Sequence, residues 1–102
     1  MFKRIAQVPD FEIEVLVALP GDAEDPPPLY MTVAYRPARE LDALTTEGGL
    51  PGFARGVVRG WRGHEAPFSP EEFEEFLSQY PSASRAIWEA YTAAIGKAKR
   101  KN

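Results

Sequence analysis

Apolar and polar residues alternate in two stretches of the N-terminal half, and each stretch predicts a β-strand. In residues 11–19 and again in residues 29–36, every odd-numbered position is apolar, which is the period of a strand with one buried face. The intervening residues 20–28 contain four prolines and three acidic residues, so we predict an exposed acidic loop there. Residues 11–36 are therefore predicted to form an antiparallel β-hairpin.

From residue 37 to residue 96 the apolar spacing is helical but interrupted. Leu41 and Leu44 are three positions apart and indicate a short helix over residues 39–44. Glycine and proline break the pattern at residues 48–52. Apolar residues then return at helical spacing over residues 53–61, so we expect a second short helix that ends near Gly60 or Trp61.

Two further helices are predicted after a turn-rich linker. Ser69 is a good N-cap, Pro70 suits the first helical position, and Glu72 completes a capping box. This helix is expected to stop at Tyr80, because a residue that precedes proline avoids helical dihedral angles. The last helix is marked by four large apolar residues at helical spacing, namely Ile87, Trp88, Tyr91 and Ile95.

Together these elements predict an α+β fold, with an N-terminal antiparallel β-hairpin followed by three to four short α-helices. The chain has 102 residues, of which 44% are hydrophobic and 26% charged, so we expect a single domain over residues 1–102. Residues 37–96 form its helical part and residues 97–102 a basic tail. The sequence contains no apolar run of membrane-spanning length and no signal peptide pattern, which favours a cytoplasmic protein.

Candidate catalytic chemistry is scarce, and we predict that the chain is not an enzyme. The chain has no cysteine, which excludes disulfides, thiolate catalysis and Cys-based metal sites. His64 is the only histidine, and its polar linker predicts an exposed loop residue. The glutamates of residues 71–75 suit helix capping and solubility. No nucleotide-binding glycine motif occurs, so we predict no catalytic residue, no metal and no cofactor.

Charge and one aromatic residue nevertheless suggest partners. Residues 1–52 carry a net charge of -5 and residues 53–102 one of +2. The basic residues of the tail, Lys97, Lys99, Arg100 and Lys101, could bind an acidic partner or simply favour the negative end of a helix. Trp61, which follows a glycine-rich stretch, could be either a core residue or a partner-facing anchor.

Several short motifs resemble the tail assembly chaperones of long-tailed, siphovirus-type bacteriophages. The similarity is strongest from about residue 57 to residue 102 and also includes the start of the chain. The residues that carry it are GWRG at residues 60–63, PFSPEEFEEFL at residues 67–77, Ala86, Ala90, Tyr91 and Ala94 of the last helix, GK at residues 96–97, KN at residues 101–102, FKRI at residues 2–5 and FEIEV at residues 11–15.

The resemblance implies a non-enzymatic protein that binds the tape measure protein, keeps it soluble and helps recruit tail tube subunits. It also implies self-association, residence in the host cytoplasm and absence from the mature virion. A ribosomal frameshift near the end of the gene could add a C-terminal extension. As partner-binding residues we expect three aromatic residues and four basic residues of the tail, namely Trp61, Phe73, Phe76, Lys97, Lys99, Arg100 and Lys101.

Two other functions remain open from the sequence. The basic tail could serve a small nucleic-acid-binding or regulatory protein, although base-stacking aromatic residues do not form a recognisable platform. The chain could alternatively be a structural head–tail connector subunit that stays in the particle. We expect a protein partner and self-association, with nucleic acid less favoured and no membrane contact.

Overall fold

Three strands and three helices make up the part of the chain that the computed structural model describes, which is Met1 together with residues 8–21 and 23–97. In chain order the elements are β1 (Phe11–Val15), β2 (Leu29–Val33), α1 (Ala38–Val57), β3 (Val58–Arg62), α2 (Pro70–Gln79) and α3 (Ala83–Lys97). The strands form one antiparallel sheet in the order β1-β2-β3. The prediction of an α+β fold is confirmed.

The predicted pairing of the first two strands is also confirmed. Phe11 lies opposite Val33 and Val15 lies opposite Leu29 in an antiparallel register. Both strands are shorter than the sequence pattern indicated, since β1 ends at Val15 and β2 at Val33. The chain after β1 leaves the sheet and contacts the start of α3, where the Ser82 hydroxyl donates a hydrogen bond to the carbonyl of Ala18.

The sheet has a third strand that the sequence analysis placed in a helix. The prediction of a helix ending near Gly60 or Trp61 is wrong, because the helix ends at Val57 and β3 begins at Val58. Val58 pairs with Val33 on β2, and an irregularity follows at the next pair. The strands are therefore not confined to an N-terminal hairpin, and the segment predicted as wholly helical, residues 37–96, contains one of them.

The predicted break within residues 48–52 is present, but as a kink within α1. Gly49 has φ 66° and ψ −159°, a backbone conformation that is essentially restricted to glycine. Because the helix resumes after this residue, the two short helices predicted on either side form the two segments of α1. The described residues therefore contain three helices, at the lower end of the predicted range of three to four.

The helix start predicted at Ser69 is confirmed, although among the described residues only the serine half of the predicted capping box forms. The Ser69 hydroxyl accepts a hydrogen bond of 3.1 Å from the backbone N–H of Glu72, and Pro70 occupies the first turn. Tyr80 caps the other end of α2. Because both signals act between residues that are close in the sequence, they determine where the helix begins independently of what the helix packs against.

All three helices pack on one face of the sheet, where they enclose the core. The fully buried side chains of largest volume in it are Tyr91, Phe53, Met31, Ile87, Val15, Val33 and Val57. Tyr91 connects the layers: its hydroxyl donates to the carbonyl of Ala34 and accepts from the N–H of Arg36. This arrangement leaves the opposite face of the sheet uncovered by the described residues.

Candidate partner-binding surface

The three aromatic residues predicted to bind a partner come together in one cluster between β3 and α2. The ring of Trp61 lies 5.6 Å from that of Phe76 and 6.2 Å from that of Phe73, measured between centroids. Phe68 packs edge-on against the same indole at 5.2 Å. The cluster forms because β3 carries Trp61 on the face that α2 covers.

Burial assigns most of this cluster to the core of the protein itself. Phe73 is 3% exposed and Phe76 5% exposed, while Trp61 is half-buried and donates its indole N–H to the carbonyl of Ala66 at 2.9 Å. Of the two roles left open for Trp61, core packing is the one that these contacts describe. A direct contact between a partner and these three residues stays a prediction.

His64 belongs to the edge of the same cluster. Its ring stacks on that of Trp61 at 4.3 Å, and its Nδ1 accepts a hydrogen bond of 2.9 Å from the N–H of Ala66. It is half-buried, so the expectation of an exposed loop histidine is wrong with respect to exposure. Within the described ranges, no group of three or more potential ligand side chains could hold a metal ion.

Two apolar side chains that the core does not use stand out on the surface. Trp88 on α3 is 38% exposed, and Leu16, just after β1, is 65% exposed. The sequence contained a signal for the first of them. Ile87 and Trp88 are adjacent and hence 100° apart around the helix, so one of them had to leave the centre of the buried stripe. Ile87 is the buried residue.

The uncovered face of the sheet is polar and largely paired within the chain. Arg62 on β3 reaches across the central strand to Glu12 on β1 with hydrogen bonds of 2.8 and 3.0 Å, and its guanidinium lies 4.3 Å from the ring centre of Tyr30. These hydrogen bonds lower the pKa of the Glu12 carboxyl below its ordinary value of 4.5. A second pair joins Arg59 to Asp10 at 3.4 Å. This face is therefore a poor docking site for an apolar partner.

A further ion pair ties α1 to α2. Arg55 donates two hydrogen bonds to Glu74, one of them 3.0 Å long, and they lower the pKa of the Glu74 carboxyl. Both side chains are about half exposed, so the pair contributes at most about 1 kcal/mol to stability. In all three of these pairs, an exposed acid is neutralised by an arginine of the C-terminal half.

The basic residues of the predicted site lie at and beyond the end of α3. Lys97 is the last residue of that helix, and Lys99, Arg100 and Lys101 lie outside the described residues. The role assigned to these four residues therefore stays a prediction. Among the described helices, none combines the length and the hydropathy needed to cross a bilayer.

Comparison with known proteins supplies the family. Neither the search of curated proteins nor the search of solved structures finds a match. A family model described as phage tail assembly chaperone matches residues 1–102, the whole of the sequence. The chain therefore belongs to the phage tail assembly chaperone family.

Proposed function

We propose that this chain binds the tape measure protein of its phage, keeps it soluble and helps recruit tail tube subunits. The observation that carries the proposal is the family match over the whole chain, which supports a role in phage tail assembly. A tape measure protein is long and largely helical, and a chaperone for such a client needs apolar surface that its own fold does not consume.

The surface around Trp88 meets that requirement best among the described residues. Tryptophan is one of the side chains that are enriched among the residues contributing most binding energy at interfaces, and Trp88 is 38% exposed on α3. Ile95, one side of which packs on the core, lies two turns further along the same edge of the helix. The client therefore contacts this edge of α3 in our proposal.

Co-expression with the tape measure protein tests the proposal. We expect the client to remain soluble and to co-purify with the wild-type chain, and we expect Trp88→Ala to weaken recovery about tenfold or more, in line with an interface anchor. Arg85→Ala is the matched control, because Arg85 is exposed on the same helix. A client that stays insoluble with the wild-type chain would refute the proposed function.

The proposal extends to location and to self-association. The protein acts in the host cytoplasm and leaves before the virion is complete, so mass spectrometry of purified particles should not detect it. Copies of the chain associate through attraction between their acidic and basic regions. Because salt screens this attraction, light scattering should show larger species in low salt than in high salt. Because Glu12 and Asp10 already pair with arginines of the same chain, this attraction depends on the charges that remain, including those of the basic tail.

A further inference from the structure

Helix α1 consists of two segments that fold back on each other at Gly49. Leu44 and Gly56 are twelve positions apart, which in a straight helix would separate them by about 18 Å. A β-carbon added at Gly56 would nevertheless lie 3.0 Å from Cγ of Leu44. The first segment, residues 38–48, is called the arm below. It joins the second segment through the positive-φ conformation of Gly49.

Few buried contacts hold the arm against the rest of the protein. None of its residues is buried, only Leu41 and Leu44 are half-buried, and all others are exposed. A cavity of about 220 Å³ lies between the arm and Arg36. One ion pair, formed by Arg36 and Glu40 with a distance of 3.2 Å and side chains 33% and 54% exposed, supports the start of the arm. Elements with so few buried contacts open at low free energy.

The surface beneath the arm fits a helix. Gly52 and Gly56 have no side chains, so Leu44 can approach closely. A β-carbon at Gly52 would lie 2.9 Å from the carbonyl oxygen of Leu44. Arg36 sits beside this groove and donates to the carbonyl of Gly56 at 2.7 Å as well as to Glu40. The arm thus places the carboxylate of Glu40 against Arg36 and, four positions later, the side chain of Leu44 against the two glycines.

We propose that the arm is a hinged cover, and that the groove of Gly52 and Gly56 receives an amphipathic helix of the client when the arm swings out. This inference rests on the proposed function. The client helix should offer the same groups as the arm. It needs an aliphatic side chain that packs on Gly52 and Gly56 and, one turn earlier, a carboxylate that pairs with Arg36. The arm competes with the client for the same groove.

A reversible cross-link tests the proposal. The 3.0 Å contact at Gly56, extended by one carbon–carbon bond, places the two β-carbons at most about 4.5 Å apart, within reach of a disulfide. The natural chain contains no cysteine, so Leu44→Cys/Gly56→Cys can form only the intended bond within one chain. Overlapping synthetic peptides of the tape measure protein serve as probes, and binding is measured with the full chain before and after reduction.

We expect the oxidised double variant to bind the best peptide at least about tenfold more weakly than its own reduced form, which also controls for folding. Equal binding in the two states, with a wild-type chain that binds, would overturn the hinged cover and leave the proposed function intact. No binding by the wild-type chain would refute the proposed function itself. Failure of the disulfide to form would contradict the closed position of the arm.

A second measurement does not need the client. Amide hydrogen exchange of the wild-type chain should be at least about tenfold faster in residues 38–48 than in residues 50–57, because only the arm opens. Gly56→Ala should increase this difference, since its added methyl group meets the Leu44 side chain. Gly48→Ala is the control, because a β-carbon there meets nothing within 4 Å. Equal protection of the two segments would contradict the proposal.

Discussion

The hydroxyl of Tyr91 offers the sharpest test of how the helices are fastened to the sheet. Tyr91 is fully buried, and its hydroxyl donates to the carbonyl of Ala34 at 3.0 Å and accepts from the N–H of Arg36 at 3.1 Å. Tyr91→Phe removes both hydrogen bonds but keeps the ring that packs against Phe53 at 5.3 Å. The substitution therefore isolates the polar contribution.

The expected loss is about 2 kcal/mol, at about 1 kcal/mol for each hydrogen bond. The loss could approach about 3 kcal/mol because the buried carbonyl of Ala34 is left without its partner. For a domain of this size, that corresponds to a melting temperature lower by about 8–16 °C. Urea unfolding followed by circular dichroism measures the difference, with the m-value expected to stay unchanged.

Tyr80→Phe is the matched control, because the hydroxyl of Tyr80 makes no hydrogen bond among the described residues. It should change the stability by less than about 0.5 kcal/mol. If Tyr91→Phe were equally mild, the hydroxyl would contribute nothing to the attachment of α3, and the reasoning would be wrong.

The same residue predicts instability in alkali. Burial raises the pKa of Tyr91 above its ordinary value of 10.0, although the N–H of Arg36 opposes this effect. The unfolded chain therefore loses the phenolic proton first. The stability that Tyr91 contributes is complete below about pH 10 and falls as the pH rises through the folded pKa. In Tyr91→Phe this part of the pH dependence should be absent.

Three further predictions concern local features. Ser69→Ala should destabilise the protein by about 1 kcal/mol through loss of the helix cap, whereas Ser69→Asp should retain most of the stability in urea unfolding. Gly49→Ala should cost about 1–3 kcal/mol because of the φ of 66°, and Gly48→Ala should be neutral or stabilising. Stability should also fall as the pH drops below about 4.5, since the pKa values of Glu12 and Glu74 are lowered in the fold; replacing both by glutamine should flatten this acid limb of the pH profile.

The elements that the sequence predicted well are those whose signals are local. The start of α2 follows from Ser69 and Pro70 alone, and β1 and β2 each follow from strict alternation. In contrast, β3 has only five residues, one of them Gly60, and it is stabilised by pairing with residues of β2 that lie 25 or more positions earlier in the chain. Apolar spacing over such a short segment cannot distinguish a strand from a helix.

The candidate site likewise has features that the sequence predicted and features that depend on distant parts of the fold. From the sequence, Trp61, Phe73 and Phe76 were predicted to share a partner-binding role. The structure brings the three side chains together, and their role in binding stays a prediction. The sequence could not show that α2 would bury the two phenylalanines, because that depends on β3 and its position in the sheet. Trp88 was missed as a surface residue because its place at the edge of the apolar stripe becomes clear only when the direction of the buried face is known.

The amount of exposed apolar surface connects the two proposals. Besides Met1 and Val8 near the start of the chain, Leu16 and Trp88 are the large apolar side chains exposed among the described residues. A tryptophan exposed by about a third offers on the order of 100 Å². A stable interface needs about 800 Å² on each partner, so the closed molecule cannot hold a client through these side chains alone. Swinging the arm away adds the groove of Gly52 and Gly56 and frees Leu44 to contact the client. Under this proposal the apparent affinity for the client equals the intrinsic affinity reduced by the fraction of molecules whose arm is open, so closing the arm favours release of the client.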